Sequence, residues 1–228
     1  MNTLKTFIYV LLLTLISTSC QTVKKKTIEI KEGFVGMIGY GSLMSLKTFE
    51  QTLGHKYSDS IYQVHLNSYV REWSYFWPID DPKFTSPNGV KYYAFFIQET
   101  DTIPFEGFVN LTISQKEKSK INCVLYLITQ NEILKFDKME DGYQKVDVTG
   151  KIEEYSFKGG QVYAYEHIPD PQFKVDKTKY IVLKDDVDLI TDACDSIGMG
   201  FRKEFDNSTV PYSGQIITHK KIFAKRGK

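Results

Sequence analysis

Residues 34–44, FVGMIGYGSLM, decide how the fold begins. Their first five residues are apolar or small and predict a buried strand. Gly39 and Gly41 come next, and because glycine reaches backbone angles that other residues avoid, a turn is expected there. Ser45 can then cap a short helix that ends near Gly54. This stretch therefore predicts a strand, a glycine-rich turn and a helix in succession.

Strands predominate in the rest of the chain, which contains 15 Tyr and 15 Phe residues, as a β-rich fold favours. Further strands are predicted at 61–76, 91–97, 105–113, 121–128, 143–148 and 161–167. A helix is predicted at 180–197. Because strands and helices do not alternate regularly, a doubly wound sheet is disfavoured. The pattern favours an α+β fold with a mixed, closed or nearly closed β-barrel surrounded by helices.

A second informative stretch begins at Thr129, where the T-x-x-E pattern of a capping box predicts a helix running to about Met139. Ile133 and Phe136 lie on one face of that helix and should point to the core. The next position on this stripe is Glu140, a carboxylate where an apolar side chain is expected. Burial, the helix C-terminus and neighbouring acids would all raise its pKa, as a general acid/base requires. The alternative is that the helix has ended and Glu140 is solvated.

The turn at Gly39–Leu43 has a second interpretation. A strand that ends in a glycine-rich turn presents free backbone N–H groups, and together with Ser42 these can hold a small anion such as a carboxylate. The alternative is a plain connection from strand to helix.

Several function classes are excluded. The formal charge is +1, which disfavours nucleic-acid binding. The four histidines show no metal-ligand spacing, no C-x-x-C occurs, and neither the dinucleotide fingerprint nor a P-loop is present. Ser42 lies in G-Y-G-S-L, which is not the G-x-S-x-G of a nucleophile elbow. The sequence therefore predicts no metal and no cofactor.

The start of the chain predicts export. Residues 1–19 combine a basic start, an apolar run of about ten residues and a small-residue end, which is typical of a signal peptide. Cys20 directly follows and resembles the lipidated cysteine of a bacterial lipoprotein, which predicts a lipid anchor to the membrane of the cell envelope. Residues 20–32 would then be a tether, and residues 33–228 a single domain with a basic tail. The alternative is an ordinary cleaved signal.

Two further cysteines, Cys123 and Cys194, lie in apolar surroundings. An exported compartment permits a disulfide between them. Two separate buried thiols are the favoured interpretation.

The chain resembles the γ-glutamylcyclotransferase superfamily, including its ChaC-like branch, in an ordered set of motifs. The glycine turn at 39–44 corresponds to the family's Y-G-S-L-M pattern, and 124–148 to its strand, L-D-x-x-E helix, tyrosine and following strand. Supporting likeness lies at 69–73 and 179–199. The resemblance implies a mixed β-barrel that needs no cofactor.

The resemblance also implies a reaction and its residues. A γ-glutamyl peptide or amine would cyclise to 5-oxoproline and release its amine, with Glu140 as the catalytic residue. The implied substrate-binding residues are Tyr40, Gly41, Ser42, Leu43 and Tyr143. Where the family often has an arginine after this tyrosine, the chain has Gln144 and Lys145.

Other hypotheses stay open at this point. An export signal is unusual for a family best known from cytosolic enzymes acting on glutathione or γ-glutamyl amino acids. One alternative is a non-catalytic envelope lipoprotein that binds a small γ-glutamyl-like ligand. Another is a structural protein of the envelope.

Overall fold

The computed structural model describes residues 25–78, 92–98, 100–140, 142–168, 176–217 and 222–226. The strands, in chain order, are β1 (Lys26–Ile30), β2 (Phe34–Gly39), β3 (Tyr62–Pro78), β4 (Tyr92–Gln98), β5 (Asp101–Phe105), β6 (Gly107–Thr129), β7 (Gln144–Asp147), β8 (Tyr155–Gly159), β9 (Val162–Glu166), β10 (Tyr180–Leu183), β11 (Thr209–Val210), β12 (Gln215–Ile217) and β13 (Ile222–Arg226). The helices are α1 (Leu46–Leu53), α2 (Gln130–Met139), α3 (Lys184–Ile197) and α4 (Met199–Ser208). Short 3-10 turns lie at Ser42–Met44, Thr149–Lys151 and Lys177–Lys179.

The central sheet is built on β6, a strand of 23 residues. It pairs antiparallel with β3 on one side and with β2 on the other. β9 then runs parallel to β2, and β7 closes that side antiparallel to β9. Because the strand order of the described residues runs from β11 to β7 without joining them, this sheet is open. The α+β class is confirmed, whereas the closed or nearly closed barrel is wrong.

The sheet buries both of its faces. On one face the four helices of the described residues pack against strand residues such as Met37 and Tyr126, forming the larger apolar core. On the other face β1 and β8, which pair in parallel, cover a second core that contains Leu66 and Ile121. The pocket described below opens beside the helical layer, between β3, the turn after β2 and the ends of α2 and α3.

The sequence signals predicted for the ends of α1 and the start of α2 are confirmed. The Thr129 hydroxyl accepts from the Glu132 N–H at 3.2 Å, and the Glu132 carboxylate accepts from the Thr129 N–H at 2.8 Å, so the capping box is complete. The Ser45 side chain caps α1, and Gly54 ends it with a φ of 84°. These are sequence-local interactions that need no tertiary contact to be recognised.

Several elements differ from the prediction, and β5, β8 and α4 are among those that were not predicted. Residues 107–113 and 121–128 of two expected strands belong to one strand, β6, whereas Phe105 ends β5. The helix predicted at 180–197 begins only at residue 184, because Tyr180–Leu183 pair with β6 and β12 as strand β10. The described part of the predicted tether contains β1, and the basic tail contains β13, which pairs with β4.

The predicted signal peptide and Cys20 lie outside the described residues, and both stay predictions. No helix in the described ranges combines the length and the apolar character that a bilayer crossing requires. Cys123 and Cys194 are both buried free thiols, as the favoured interpretation had it.

A fully buried arginine ties the far edge of the sheet to the helical layer. Arg71 on β3 donates to the backbone oxygen of Asn122 and, at 3.1 Å, to the hydroxyl of Thr209. Its guanidinium lies 4.2 Å from the centre of the Phe205 ring. Through these contacts one side chain joins β3, β6, α4 and β11. Burial lowers the pKa of Arg71.

Candidate active site

One cavity of about 300 Å³ contains every residue that the sequence predicted for the site within the domain. These residues are Tyr40, Gly41, Ser42, Leu43, Glu140 and Tyr143. They come from two separate segments, the turn after β2 and the chain following α2. The fold therefore brings the two predicted motifs to one cavity, although about a hundred residues separate them in the sequence.

The turn is shaped by a close backbone approach at Gly39. A Cβ there would lie 2.7 Å from the carbonyl oxygen of Leu43, so only glycine fits without moving the turn. The Leu43 carbonyl also accepts from the buried Tyr126 hydroxyl at 3.1 Å. The turn is completed by Met44, whose N–H donates to the Gly41 carbonyl at 2.9 Å. The first N–H groups of such a turn lack partners within it and can serve a ligand.

Tyr40 forms the buried side of the turn. Its hydroxyl donates to the backbone oxygen of Tyr165 at 2.6 Å. Burial raises the pKa of Tyr40 well above its ordinary value, and the nearby negative charge of Glu140 raises it further. The phenol is therefore a neutral hydrogen-bonding group that stands within electrostatic reach of the Glu140 carboxyl.

Glu140 is the cap residue at the end of α2. The helix ends at Met139, and the Glu140 N–H donates to the Phe136 carbonyl at 2.8 Å. The helix has thus ended, as the alternative interpretation held, but the Glu140 side chain is half-buried and lines the cavity.

The carboxyl of Glu140 has a pKa near neutral pH. Burial raises its pKa to about 7. Burial is the cause of this shift, and the like charge expected from Asp137 is not part of it. The Asp137 carboxylate accepts from Tyr165 and pairs with Lys145, each at 2.7 Å. Among the described residues, none forms a hydrogen bond with the Glu140 carboxyl. It is therefore available to a ligand in the cavity.

Gly142 and Tyr143 complete this side of the cavity. Gly142 has a φ of 91°, and the Tyr143 N–H donates back to the Glu140 carbonyl at 2.9 Å. This tight return places Glu140 and Tyr143 on the same cavity wall. The Tyr143 hydroxyl is held by the Leu111 carbonyl at 3.0 Å. Burial raises the pKa of Tyr143 well above its ordinary value.

An aromatic wall faces these groups and was not predicted. Trp73, Tyr75 and Trp77, at alternate positions of β3, all line the cavity. The Tyr75 ring packs edge-on against Tyr143, with centroids 4.8 Å apart, and stacks on His167 at 3.9 Å. The period-two spacing of large aromatic residues was the signal in the sequence that could have indicated this wall.

A second carboxylate in the cavity, Asp186, was also missed. It lies in the first turn of α3, and Ile190, one helical turn later, lines the cavity beside it. Burial raises the pKa of Asp186, and the negative charge of Asp185 adds to the effect. The field of Asp186 also reaches the Tyr143 phenol. Among the described residues, the carboxylic acids that line the cavity are thus Glu140 and Asp186.

The described residues contain no group of three or more His, Cys, Asp or Glu side chains arranged to hold a metal ion. The chemistry that the lining residues themselves can perform is proton transfer and hydrogen bonding. A carboxyl with a pKa near 7 can both accept and donate a proton at neutral pH.

No family model and no curated protein matches the chain. Among solved structures, one described as a gamma-glutamyl cyclotransferase is similar, with 12% identity, a TM-score of 0.46, and coverage of 81% of this chain and 94% of that chain. An uncharacterised Homo sapiens protein is 13% identical, with a TM-score of 0.44 and coverage of 82% and 95%. An Arabidopsis thaliana protein solved in solution is 16% identical, with a TM-score of 0.35 and coverage of 63% and 76%. Values this low transfer no function, which has to be argued from the cavity.

Gly142 offers a test of how the cavity wall is built. A Cβ at Gly142 would lie 1.9 Å from the Tyr75 hydroxyl, and its φ of 91° disfavours any other residue. We expect Gly142→Ala to lower the free energy of unfolding by more than about 1 kcal/mol and to shift Tyr143 and Glu140. Urea denaturation measures the first effect. Gly150→Ala is the matched control, since nothing lies within 4 Å of the added methyl group. Equal stability of the two variants would contradict this account of the wall.

Proposed function

We propose that this protein cyclises a γ-glutamyl peptide or amine to 5-oxoproline and releases the amine, with Glu140 as general acid/base. The observation that carries the proposal is the sharing of one cavity by a carboxyl of raised pKa and a glycine-rich turn. The sequence resemblance to γ-glutamylcyclotransferases, which rests on this same turn and on the segment around Glu140, agrees with the proposed reaction.

The first step is the activation of the substrate's α-amino group. An α-ammonium carries no lone pair for attack, so it must first lose a proton. Glu140 in its carboxylate form takes that proton, and a pKa of about 7 makes both of its forms accessible at neutral pH. The amine nitrogen then attacks the γ-carbonyl carbon of the same molecule, and a five-membered ring closes.

The second step is the collapse of the tetrahedral intermediate. Its negative oxygen needs hydrogen-bond donors that are already oriented, and such donors are worth about 3–4 kcal/mol each in well-studied enzymes. The N–H groups at Ser42 and Leu43 are the candidates, either for this oxygen or for the α-carboxylate. Protonated Glu140 then gives its proton to the leaving nitrogen as the carbon–nitrogen bond breaks. The ring nitrogen still carries a second proton, which passes to the released amine directly or through water. The products are therefore 5-oxoproline and the protonated amine, and Glu140 returns to its carboxylate form.

The shape of the cavity favours the cyclic pathway. The substrate must fold back so that its amine reaches its own γ-carbonyl, and a confined site reduces the entropic cost of that conformation. Tyr40 and Tyr143 are fixed by buried or half-buried hydrogen bonds to backbone oxygens, so their rings form rigid walls. A rigid cavity of about 300 Å³ has the size expected for a small ligand.

The predicted export signal and Cys20 bear on where the reaction occurs. If the chain is anchored by a lipid at Cys20, the substrate is an extracytoplasmic γ-glutamyl compound. Glutathione is then a poor candidate, since it is chiefly an intracellular thiol buffer. We propose a location in the bacterial cell envelope on this basis.

A panel of γ-glutamyl dipeptides, γ-glutamyl amines and glutathione tests the proposal. Purified protein is incubated with each compound, and 5-oxoproline and the released amine are measured together by mass spectrometry. We expect equimolar products from at least one member of the panel. Thermal stabilisation by these ligands without any product would instead indicate a binding protein, and would contradict the enzymatic proposal.

A further inference from the structure

The proposed reaction leaves several residues of the cavity wall without a role. Asp186 and Ile190 project from one side of α3, while Trp73 and Trp77 line the cavity from β3. We propose that Asp186 and the rings of Trp73 and Trp77 form a subsite for a positively charged group carried by the leaving amine of the substrate. This inference rests on the proposed function, because it names the class of substrate that the same cavity accepts.

The first argument is the charge of the cavity walls. Of the described residues that line it, the carboxylic acids are Glu140 and Asp186, and none is lysine or arginine. A carboxylate withdrawn from water without a cation is unfavourable, and burial indeed raises the pKa of Asp186. A cationic ligand group placed beside it would offset that cost. An anionic group in the same place would add to it.

The second argument is the aromatic wall. An ammonium group close to the face of an indole ring is attracted by the quadrupole of the ring, and the attraction grows when water is excluded. Trp73 and Trp77 are both half-buried and both line the cavity. A carboxylate and aromatic rings around one small space are a typical combination for recognition of an organic cation.

Stabilisation of α3 does not explain why Asp186, in the first turn of this helix, is an acid. An acidic residue in the first turn of α3 stabilises the helix through its dipole. Asp185, the preceding residue, also lies in that turn and is exposed. Because Asp185 already supplies this charge from the solvent side, the dipole alone gives no reason for a second carboxylate facing the cavity. Among the described residues, none donates a hydrogen bond to the Asp186 carboxylate.

The alternative role for Asp186 is to hold the α-ammonium of the glutamyl part. That group must transfer a proton to Glu140, so it has to lie beside Glu140 and the turn. Both roles are chemically reasonable for a carboxylate, and they predict different substrate dependence. A role at the leaving amine affects only those substrates whose leaving amine carries a charge, whereas a role at the α-ammonium affects every substrate equally.

A matched pair of substrates separates the two roles. The 4-aminobutyl amide and the butyl amide of the glutamate γ-carboxyl have the same chain length, and only the first carries a terminal ammonium. We expect kcat/KM of the wild-type protein to be about 10- to 100-fold higher for the aminobutyl amide, the size of effect typical of hydrogen bonds to charged groups. In Asp186→Asn this ratio should fall towards one. Asp186→Glu, which keeps the charge, should retain part of the preference.

Asp192→Asn is the control, because it removes the same charge from an exposed position of the same helix. It should keep the wild-type ratio. Asp186→Asn removes a charge that burial disfavours, so we expect it to fold, and thermal denaturation verifies this. An equal loss of kcat/KM with both substrates in Asp186→Asn would assign Asp186 to the α-ammonium and overturn the inference.

Binding measurements test the proposed cation subsite separately from the formation of 5-oxoproline. The same two amides are titrated calorimetrically into Glu140→Gln and into the double variant with Asp186→Asn. Tighter binding of the aminobutyl amide that depends on Asp186 supports the subsite, even if the wild-type protein forms no 5-oxoproline and the proposed function fails. Equal affinity for the two amides, or no binding of either, overturns the subsite even if 5-oxoproline is formed.

Discussion

Glu140→Gln is expected to lower kcat for 5-oxoproline formation by about 10²- to 10⁴-fold, the usual contribution of a general acid/base. Glutamine has nearly the same shape as glutamate and can still contact a substrate in the cavity. It can neither remove the proton of the α-ammonium nor protonate the leaving nitrogen at neutral pH. KM should therefore change much less than kcat.

The stability of Glu140→Gln separates a catalytic effect from a folding defect. Because burial raises the pKa of Glu140 to about 7, the folded state holds a proton that the unfolded state has already lost at lower pH. The contribution of Glu140 to stability consequently falls as the pH rises from about 4 to about 7. The glutamine variant lacks this loss, so it should be at least as stable as the wild type at pH 8.

Glu117→Gln, at an exposed position of β6, is the control and should keep both activity and stability. A Glu140→Gln protein that is folded and fully active would contradict the mechanism.

Phe136→Ala is expected to lower the free energy of unfolding by about 3–5 kcal/mol, as deletion of a large buried side chain usually does. Phe136 is 0% exposed and stacks against Phe49 with ring centroids 5.1 Å apart. Phe49 in turn stacks on Tyr126 at 3.7 Å. Since these rings fix α2 against α1 and the sheet, the deletion leaves a cavity beneath the helix that carries Glu140.

Leu134→Ala is the matched control for Phe136→Ala. Leu134 lies two residues earlier on the same helix, but its side chain is 54% exposed. Its loss should change the free energy of unfolding by no more than about 0.5 kcal/mol. Urea denaturation of both variants measures the contrast. Similar losses in the two variants would show that the outer and inner faces of α2 have been assigned wrongly.

Features set by sequence-local interactions were predictable. The turn after β2 depends on glycines, and the start of α2 depends on a capping box, so each is visible in a few consecutive residues. Glu140 was found because it interrupts an apolar stripe. The same rule applies to α3, where Asp186 precedes Ile190, Ala193 and Ile197 at helical spacing.

The start of α3 was predicted wrongly. Residues 180–183 are apolar and extend a helical pattern, yet they pair with β6 and β12. A strand pairing across this distance leaves no signal in a short window of sequence. The signal for Asp186, an acid at helical spacing ahead of Ile190 and Ala193, is present in the sequence whichever residue begins the helix.

The open sheet was beyond prediction for a related reason. Whether a sheet closes depends on which strands form its edges, and here these are the two-residue β11 and the short β7. The parallel pairing of β1 with β8 joins residues 26–30 to 155–159. Such long-range registers follow from the packing of both faces and not from local propensity.

The most direct measurement of the central claim is a titration of the Glu140 carboxyl by NMR, with ¹³C-labelled glutamate and with Glu140→Gln to assign its signal. The account predicts a pKa of about 7, because burial in the cavity disfavours the charged form. A Glu140 signal that titrates near the ordinary value of about 4.3 would place this carboxyl in water and contradict the proposed mechanism.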